Sequence, residues 1–198
     1  ILHLTYDMRI GGTETVIKNL VEGINHDRYN VKILCIEPQV GPFGQQLIDA
    51  GYLVTTLGWT GGFDKSLFKE IRSHLIENSV DVLHCHQYTP WFYGAVAAAF
   101  TKTKVIFTEH GRFHPDRSSW KRRIINPCLM LFTDHVTAIS EATKLALNKF
   151  EFIRQKKIRV IYNGIKPLQR DVNKALEIKE ALNINCNSLV FGTVARLD

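Results

Sequence analysis

The chain has 198 residues, 45% of them apolar, enough to bury a core in at least one globular domain. Twenty-five Lys and Arg against nineteen Asp and Glu leave a net charge of +6, which favours anionic partners: nucleotides, phosphosugars, nucleic acid or an anionic bilayer. Four scattered cysteines form no metal-ligand spacing, no apolar run approaches the roughly twenty residues a bilayer needs, and no signal-peptide pattern opens the chain, so a reduced, cytoplasmic protein is expected.

In chain order, "ILHLTY" predicts a first strand, and "RIGGTETV" turns it into a helix with an apolar stripe of Val16, Ile17, Leu20, Val21 and Ile24. "VKILCI" (31–36) and "YLVTTL" (52–57) predict two more strands, followed by a helix striped by Leu67, Ile71, Leu75 and Ile76. "VDVLH" (80–84), "KVIFT" (104–108), "DHVTA" (134–138), "IRVIY" (158–162) and "LVFGTV" (189–194) complete the strand series. Successive runs begin 21 to 31 residues apart, the length of a strand plus a crossover helix. Such alternation predicts an α/β fold: a Rossmann-like, doubly wound parallel sheet with helices on both faces. Ligands of such sheets bind beyond the carboxyl ends of the strands, so the segments just after each strand are the candidate site.

After the first strand, Gly11 and Gly12 would permit positive φ and close backbone approach to a phosphate at the helix N-terminus. The plainer alternative is a tight turn in which Thr13 caps the helix and Glu14 favours its positive end. Neither GxGxxG nor GK[ST] is present, although Glu37 could stand in for a ribose-binding acid. In "DVLHCHQYTPW", His84 and His86 are expected to point to opposite faces and not to share a metal, with His86 nearer the cleft and His84 structural. Tyr88 and Trp91 would stack on a sugar or simply pack. In "TEHGRFHPDR", His110 directly follows a strand, where it could bond a hydroxyl or act as acid or base, and Glu109 is its expected orienting partner.

The stretch 112–123, "RFHPDRSSWKRR", carries Arg112, Arg117, Lys121, Arg122 and Arg123 with Phe113 and Trp120. It reads either as a solvated basic loop or as an interfacial patch for an anionic membrane surface. Nucleic-acid binding is not expected, because no recognition motif is present.

Six segments together resemble the retaining glycosyltransferases of family 4, which have the GT-B fold: "LTYDMRIGGTETVIKNL", "DVLHCHQYTPWFYGAVAA", "VIFTEHG", "VTAISEATKLAL", "RVIYNGI" and "FGTVARLD". The resemblance implies an N-terminal, acceptor-side Rossmann-like domain over residues 1–170, with 171–198 as the start of a donor-binding domain. It implies a nucleotide-sugar donor, a glycan or lipid-linked acceptor, retention at the anomeric carbon, and neither cofactor nor metal. Position by position, Gly11 and Gly12 match the glycine turn near the donor diphosphate, with Glu14 fixing that turn. His110 matches the histidine that contacts the transferred sugar. Arg196 matches the phosphate-pairing arginine, preceded by Ala195 instead of the usual glycine. The lysine and Glu-x7-Glu element expected further on do not appear before Asp198, so these residues alone are expected to be inactive. A noncatalytic carbohydrate- or nucleotide-binding module of the same fold is the alternative.

Overall fold

The computed structural model describes residues 1–111, 119–164, 169, 171–185 and 187–193. The chain divides into two compact units, Ile1–Gly164 and Ile165–Asp198.

The first unit is a parallel sheet of seven strands: β1 (Leu2–Thr5), β2 (Lys32–Cys35), β3 (Leu53–Thr56), β4 (Val82–His86), β5 (Lys104–Glu109), β6 (His135–Ala138) and β7 (Ile158–Val160). Their spatial order is β3-β2-β1-β4-β5-β6-β7, the doubly wound order, reversing direction between β1 and β4. The helices are α1 (Gly12–Gly23), α2 (Gly41–Asp49), α3 (Lys65–Glu77), α4 (Tyr88–Ala98), α5 (Trp120–Leu129) and α6 (Glu141–Glu151).

Alternation along each strand sorts side chains to two faces. Leu2, Leu4, Leu34, Ile36, Leu83, Cys85, Val105 and Phe107 share one core with Leu67, Ile71 and Leu75 of α3 and Trp91 and Ala95 of α4. Gly94 makes this layer tight, since a Cβ there would stand 2.6 Å from the Cys85 sulfur and 3.0 Å from Leu4. Trp91 is fully buried, stacked on Phe107 at 4.4 Å, with its indole N–H donated to Thr133. It packs and does not face a sugar. On the other face, Ile33, Cys35 and Val54 meet Met8, Ile17 and Val21, and Leu47 of α2.

A buried polar network fastens α5 to its neighbours. Arg122 pairs with the buried carboxylate of Glu151 at 2.6 Å and lies 4.5 Å over the Tyr88 ring. Asn126 donates to Glu151 and accepts from the Tyr88 hydroxyl. Arg122 is thereby turned inward, contrary to its expected place in a membrane-facing set. Arg112, Phe113 and Arg117 lie outside the described residues. Trp120, Lys121 and Arg123 are exposed.

In the second unit, α7 (Val172–Ala181) is capped by Asp171, whose carboxylate accepts from the Lys174 amide. The predicted strand at 189–194 is not formed over its described residues 189–193, where Leu189 and Phe191 are 82% and 89% exposed. A parallel strand needs neighbours on a sheet, and among the described residues this segment has none. Among the described residues no helix is long and apolar enough to cross a membrane.

Candidate functional site

The turn after β1 is built differently from the expectation of left-handed glycines. Gly11 is extended, at φ −167°, and neither it nor Gly12 has positive φ. Gly11 is the N-cap of α1, with no side-chain cap from Thr13. Glu14, three residues on, folds its carboxylate back over Gly11, where a Cβ would meet it at 2.2 Å. This is the position from which an acid covers the first-turn amides of a helix. Burial raises the Glu14 carboxyl above its ordinary value, opposed by the bond from its own amide. A Cβ on Gly12 would meet nothing within 4 Å, so open space lies beside that residue.

A glycine that the backbone packing requires lies elsewhere. Gly41, at φ +77°, begins α2, and a Cβ there would lie 2.5 Å from the Arg9 amide nitrogen. That close approach lets the Met8 carbonyl accept from the amides of Phe43 and Gly44. Arg9 in turn bonds Asp7 at 2.7 Å and Glu37 at 3.0 Å. Glu37 is held by this arginine.

At the end of β4, Gln87 adopts φ 70°, ψ 170°, a region essentially confined to glycine, and it caps α4. Its side-chain amide donates to Thr13 at 3.3 Å, tying the end of β4 to the first turn of α1. The sequence gives no cue for this residue, because a glutamine carries no signature of positive φ.

Four histidines converge on one sheet face. The expectation that His84 and His86 diverge is overturned, since residues two apart on a strand share a face. Their rings lie 4.1 Å apart. His86 is fully buried and bridges two others: its Nε2 lies 2.9 Å from His3 Nδ1 and its Nδ1 lies 2.8 Å from His110 Nε2. His84 Nε2 bonds Thr108 Oγ1 at 2.7 Å, and that hydroxyl bonds Thr137 at 2.6 Å. Burial lowers His84 and His110 to about 4, and lowers His3 and His86 well below the ordinary value. All four rings are therefore neutral near pH 7.

His110 follows β5, as expected, but its orienting partner is His86 and not the carboxylate of Glu109. Glu109 is buried, and its Oε1 accepts from the His110 backbone N–H at 3.1 Å. The His110 Nδ1 is buried without a hydrogen-bond partner. Single nitrogens of His3, His84 and His86 lie within 4.8 Å of one another, a spacing a metal could bridge. The 2.9 Å His3–His86 hydrogen bond already occupies the lone pair such an ion would need.

A cavity of about 560 Å³ lies along this face, with Val16 and Leu20 of α1 as one wall and His84, His86 and His110 in its lining. Asn163 and Gly164, beyond β7, also line it. Two of the five residues of the α1 stripe thus face the cavity and not the core, which is why Leu20 is 43% exposed. The structure brings together His86, Glu109 and His110, while Arg196 lies outside the described residues. Sequence reasoning missed His3, Thr108 and Thr137. Their signal was present: parallel strands buried on both faces should read as apolar runs, and "LHL", "LHCH" and "FTEH" break that rule with period two.

A family model described as Glycosyltransferase Family 4 matches residues 10–167. Among solved structures, HepE of Anabaena in complex with UDP and glucose superposes with a TM-score of 0.73 at 18% identity, covering 91% of this chain and 49% of that one. A glycosyltransferase from Rickettsia africae gives 0.70 at 19% identity, with 94% and 50% covered. The lipopolysaccharide outer core galactosyltransferase WaaB gives 0.58 at 16%, with 83% and 45% covered. At these identities the likeness shows the fold. The chain spans about half the length of the solved structures it matches. No curated protein matches it in sequence.

Proposed function

The chain belongs to glycosyltransferase family 4, and on that premise we propose that it forms the acceptor-side half of an enzyme moving a sugar from a nucleotide-sugar to a glycan or lipid-linked acceptor, with retention. The observation that carries the reading is His110, which stands just past β5 at the carboxyl edge of the sheet, lines the cavity, and keeps one ring nitrogen without a partner. In this reading His110 holds the transferred sugar and the acceptor hydroxyl attacks from the face that the leaving nucleoside diphosphate vacates. Gly12, with open space beside it, faces the donor diphosphate. No metal or other cofactor is called for. The UDP bound by HepE supports a uridine diphosphate sugar as the first donor to try.

The test is product formation by the intact protein with a panel of labelled sugar nucleotides, with the anomeric configuration read by NMR. Transfer with retention supports the proposal, and inversion removes the mechanism. Nucleotide-sugar binding without turnover would identify a noncatalytic module. The 198 residues alone should give no product.

The partner surface for a lipid-linked acceptor is α5. Trp120, Ile124 and Cys128 recur at helical spacing and are exposed, with Lys121 and Arg123 beside them. Each cation near an anionic surface contributes about 1 kcal/mol. Vesicle binding by the cytoplasmic protein should rise with anionic lipid, fall with salt and weaken in the Lys121→Glu, Arg123→Glu double variant. Binding indifferent to lipid charge would remove this surface.

A further inference from the structure

The three rings His3, His86 and His110 join β1, β4 and the end of β5 through two hydrogen bonds. A neutral imidazole has one N–H and one lone pair. His86 uses both nitrogens, so one donates and the other accepts. Only two proton arrangements satisfy the whole chain. In the first, His110 Nε2–H donates to His86, and His86 Nε2–H donates to His3 Nδ1, which leaves His110 Nδ1 as a bare lone pair. In the second, every proton is reversed, and His110 Nδ1 carries a hydrogen.

The surroundings choose between them. His110 Nδ1 is buried and unpartnered, and a buried N–H without an acceptor is rarer in proteins than an under-used acceptor. We propose that His86 and His3 are positioning residues that lock the orientation and the tautomer of the His110 ring where it lines the cavity, with Nδ1 kept as a bare lone pair. The rings are held by packing as well as by hydrogen bonds: His84 lies 5.1 Å from His3 and 4.1 Å from His86. The chain ends at His3, which lines a separate cavity of about 380 Å³ beside α1. The inference rests on His110 facing a ligand, as in the functional reading, but not on the reaction.

The intact protein, labelled with 15N in its histidine rings, reports each tautomer in long-range proton–nitrogen correlation spectra. His3, His86 and His110 should all be neutral and protonated on Nε2. In His86→Phe the His110 signal should become a mixture of tautomers, and kcat should fall on the order of ten- to hundredfold with KM changed less. His86→Asn, whose Oδ1 stands near the lost Nδ1, should restore the Nε2–H form and part of kcat. Should His86→Phe not fold, the wild-type spectrum and the Asn variant still decide. Protonation of His110 on Nδ1, a His110 tautomer indifferent to His86→Phe, an unchanged kcat in that variant, or a metal bound by these rings in elemental analysis would each overturn the proposal. Correct tautomers in a protein that transfers no sugar would defeat the functional reading alone.

Discussion

The same sheet face is built in two ways. Over β2 and β3 it carries Ile33, Cys35 and Val54, sealed by α1 and α2 with Leu47 and Ile17 fully buried. Over β4 to β6 it carries His84, His86, Thr108 and Thr137, and a cavity replaces the helix layer. The first half returns the free energy of apolar burial. The second half holds polar groups that must bond one another, because an unpaired buried polar group costs about 1–3 kcal/mol. It yields shape and chemistry where the first yields stability. A fold can carry such a patch only because its other half, and the whole opposite face, are packed with apolar side chains.

The largest effects should therefore separate the halves. Leu47→Ala, in the sealed half, should destabilise the protein by about 2–5 kcal/mol in denaturant unfolding, since a fully buried leucine leaves a cavity. In the intact protein the kcat of the proposed transfer should stay near wild type. His110→Ala should chiefly lower kcat, on the order of a hundredfold, and cost less stability, about 1–3 kcal/mol for the buried His86 nitrogen it leaves unpaired. A variant of either kind that moved both quantities alike would dissolve the distinction between the halves.

Acid should break the histidine half first. The buried rings hold their pKa below the unfolded value of about 6.5, with His84 and His110 at about 4. Above the unfolded pKa both states are neutral, and this stability is fully present. As pH falls below it, the unfolded chain binds protons that the folded chain refuses. Stability is then lost until the folded rings titrate, by about 1.4 kcal/mol per pH unit for each histidine. Urea unfolding at pH 7, 6 and 5 should show that slope, and His84→Phe should flatten it by about one histidine. A flat profile would mean that the rings are not neutral in the folded state.

Much of the sheet was legible in the sequence, because β-branched runs at crossover spacing have few other uses. Its misreadings have physical causes. The fourth strand was expected at 80–84 and lies at Val82–His86, because the Val80 amide is spent on the Leu75 carbonyl, closing α3. His3 sits between two leucines and reads as core, although its ring joins the histidine chain 83 residues away. The Arg122–Glu151–Asn126–Tyr88 network links residues 25 to 38 positions apart, and nothing local marks it. Gly11 and Gly12 looked like left-handed residues, but glycine in a sequence does not tell whether φ or space requires it. At Gly11 the neighbour is the Glu14 carboxylate, and at Gly41 it is backbone.

The smallest expected effect tests the junction between the halves. Gln87 stands where β4 leaves the histidine patch and α4 begins, at φ 70° and ψ 170°. A non-glycine residue there stores about 1–3 kcal/mol of strain. Gln87→Gly should release it, less about 0.5–1 kcal/mol for the greater freedom of glycine in the unfolded chain. The lost bond to Thr13 is long, at 3.3 Å, and subtracts little. The net expectation is a stabilisation of about 1 kcal/mol, read as a higher urea midpoint with an unchanged slope. Activity should fall, because the side-chain link between β4 and the first turn of α1 disappears with the glutamine. A variant both more stable and fully active would mean that the strain serves nothing at the site. A less stable one would mean that the glutamine bond outweighs the strain.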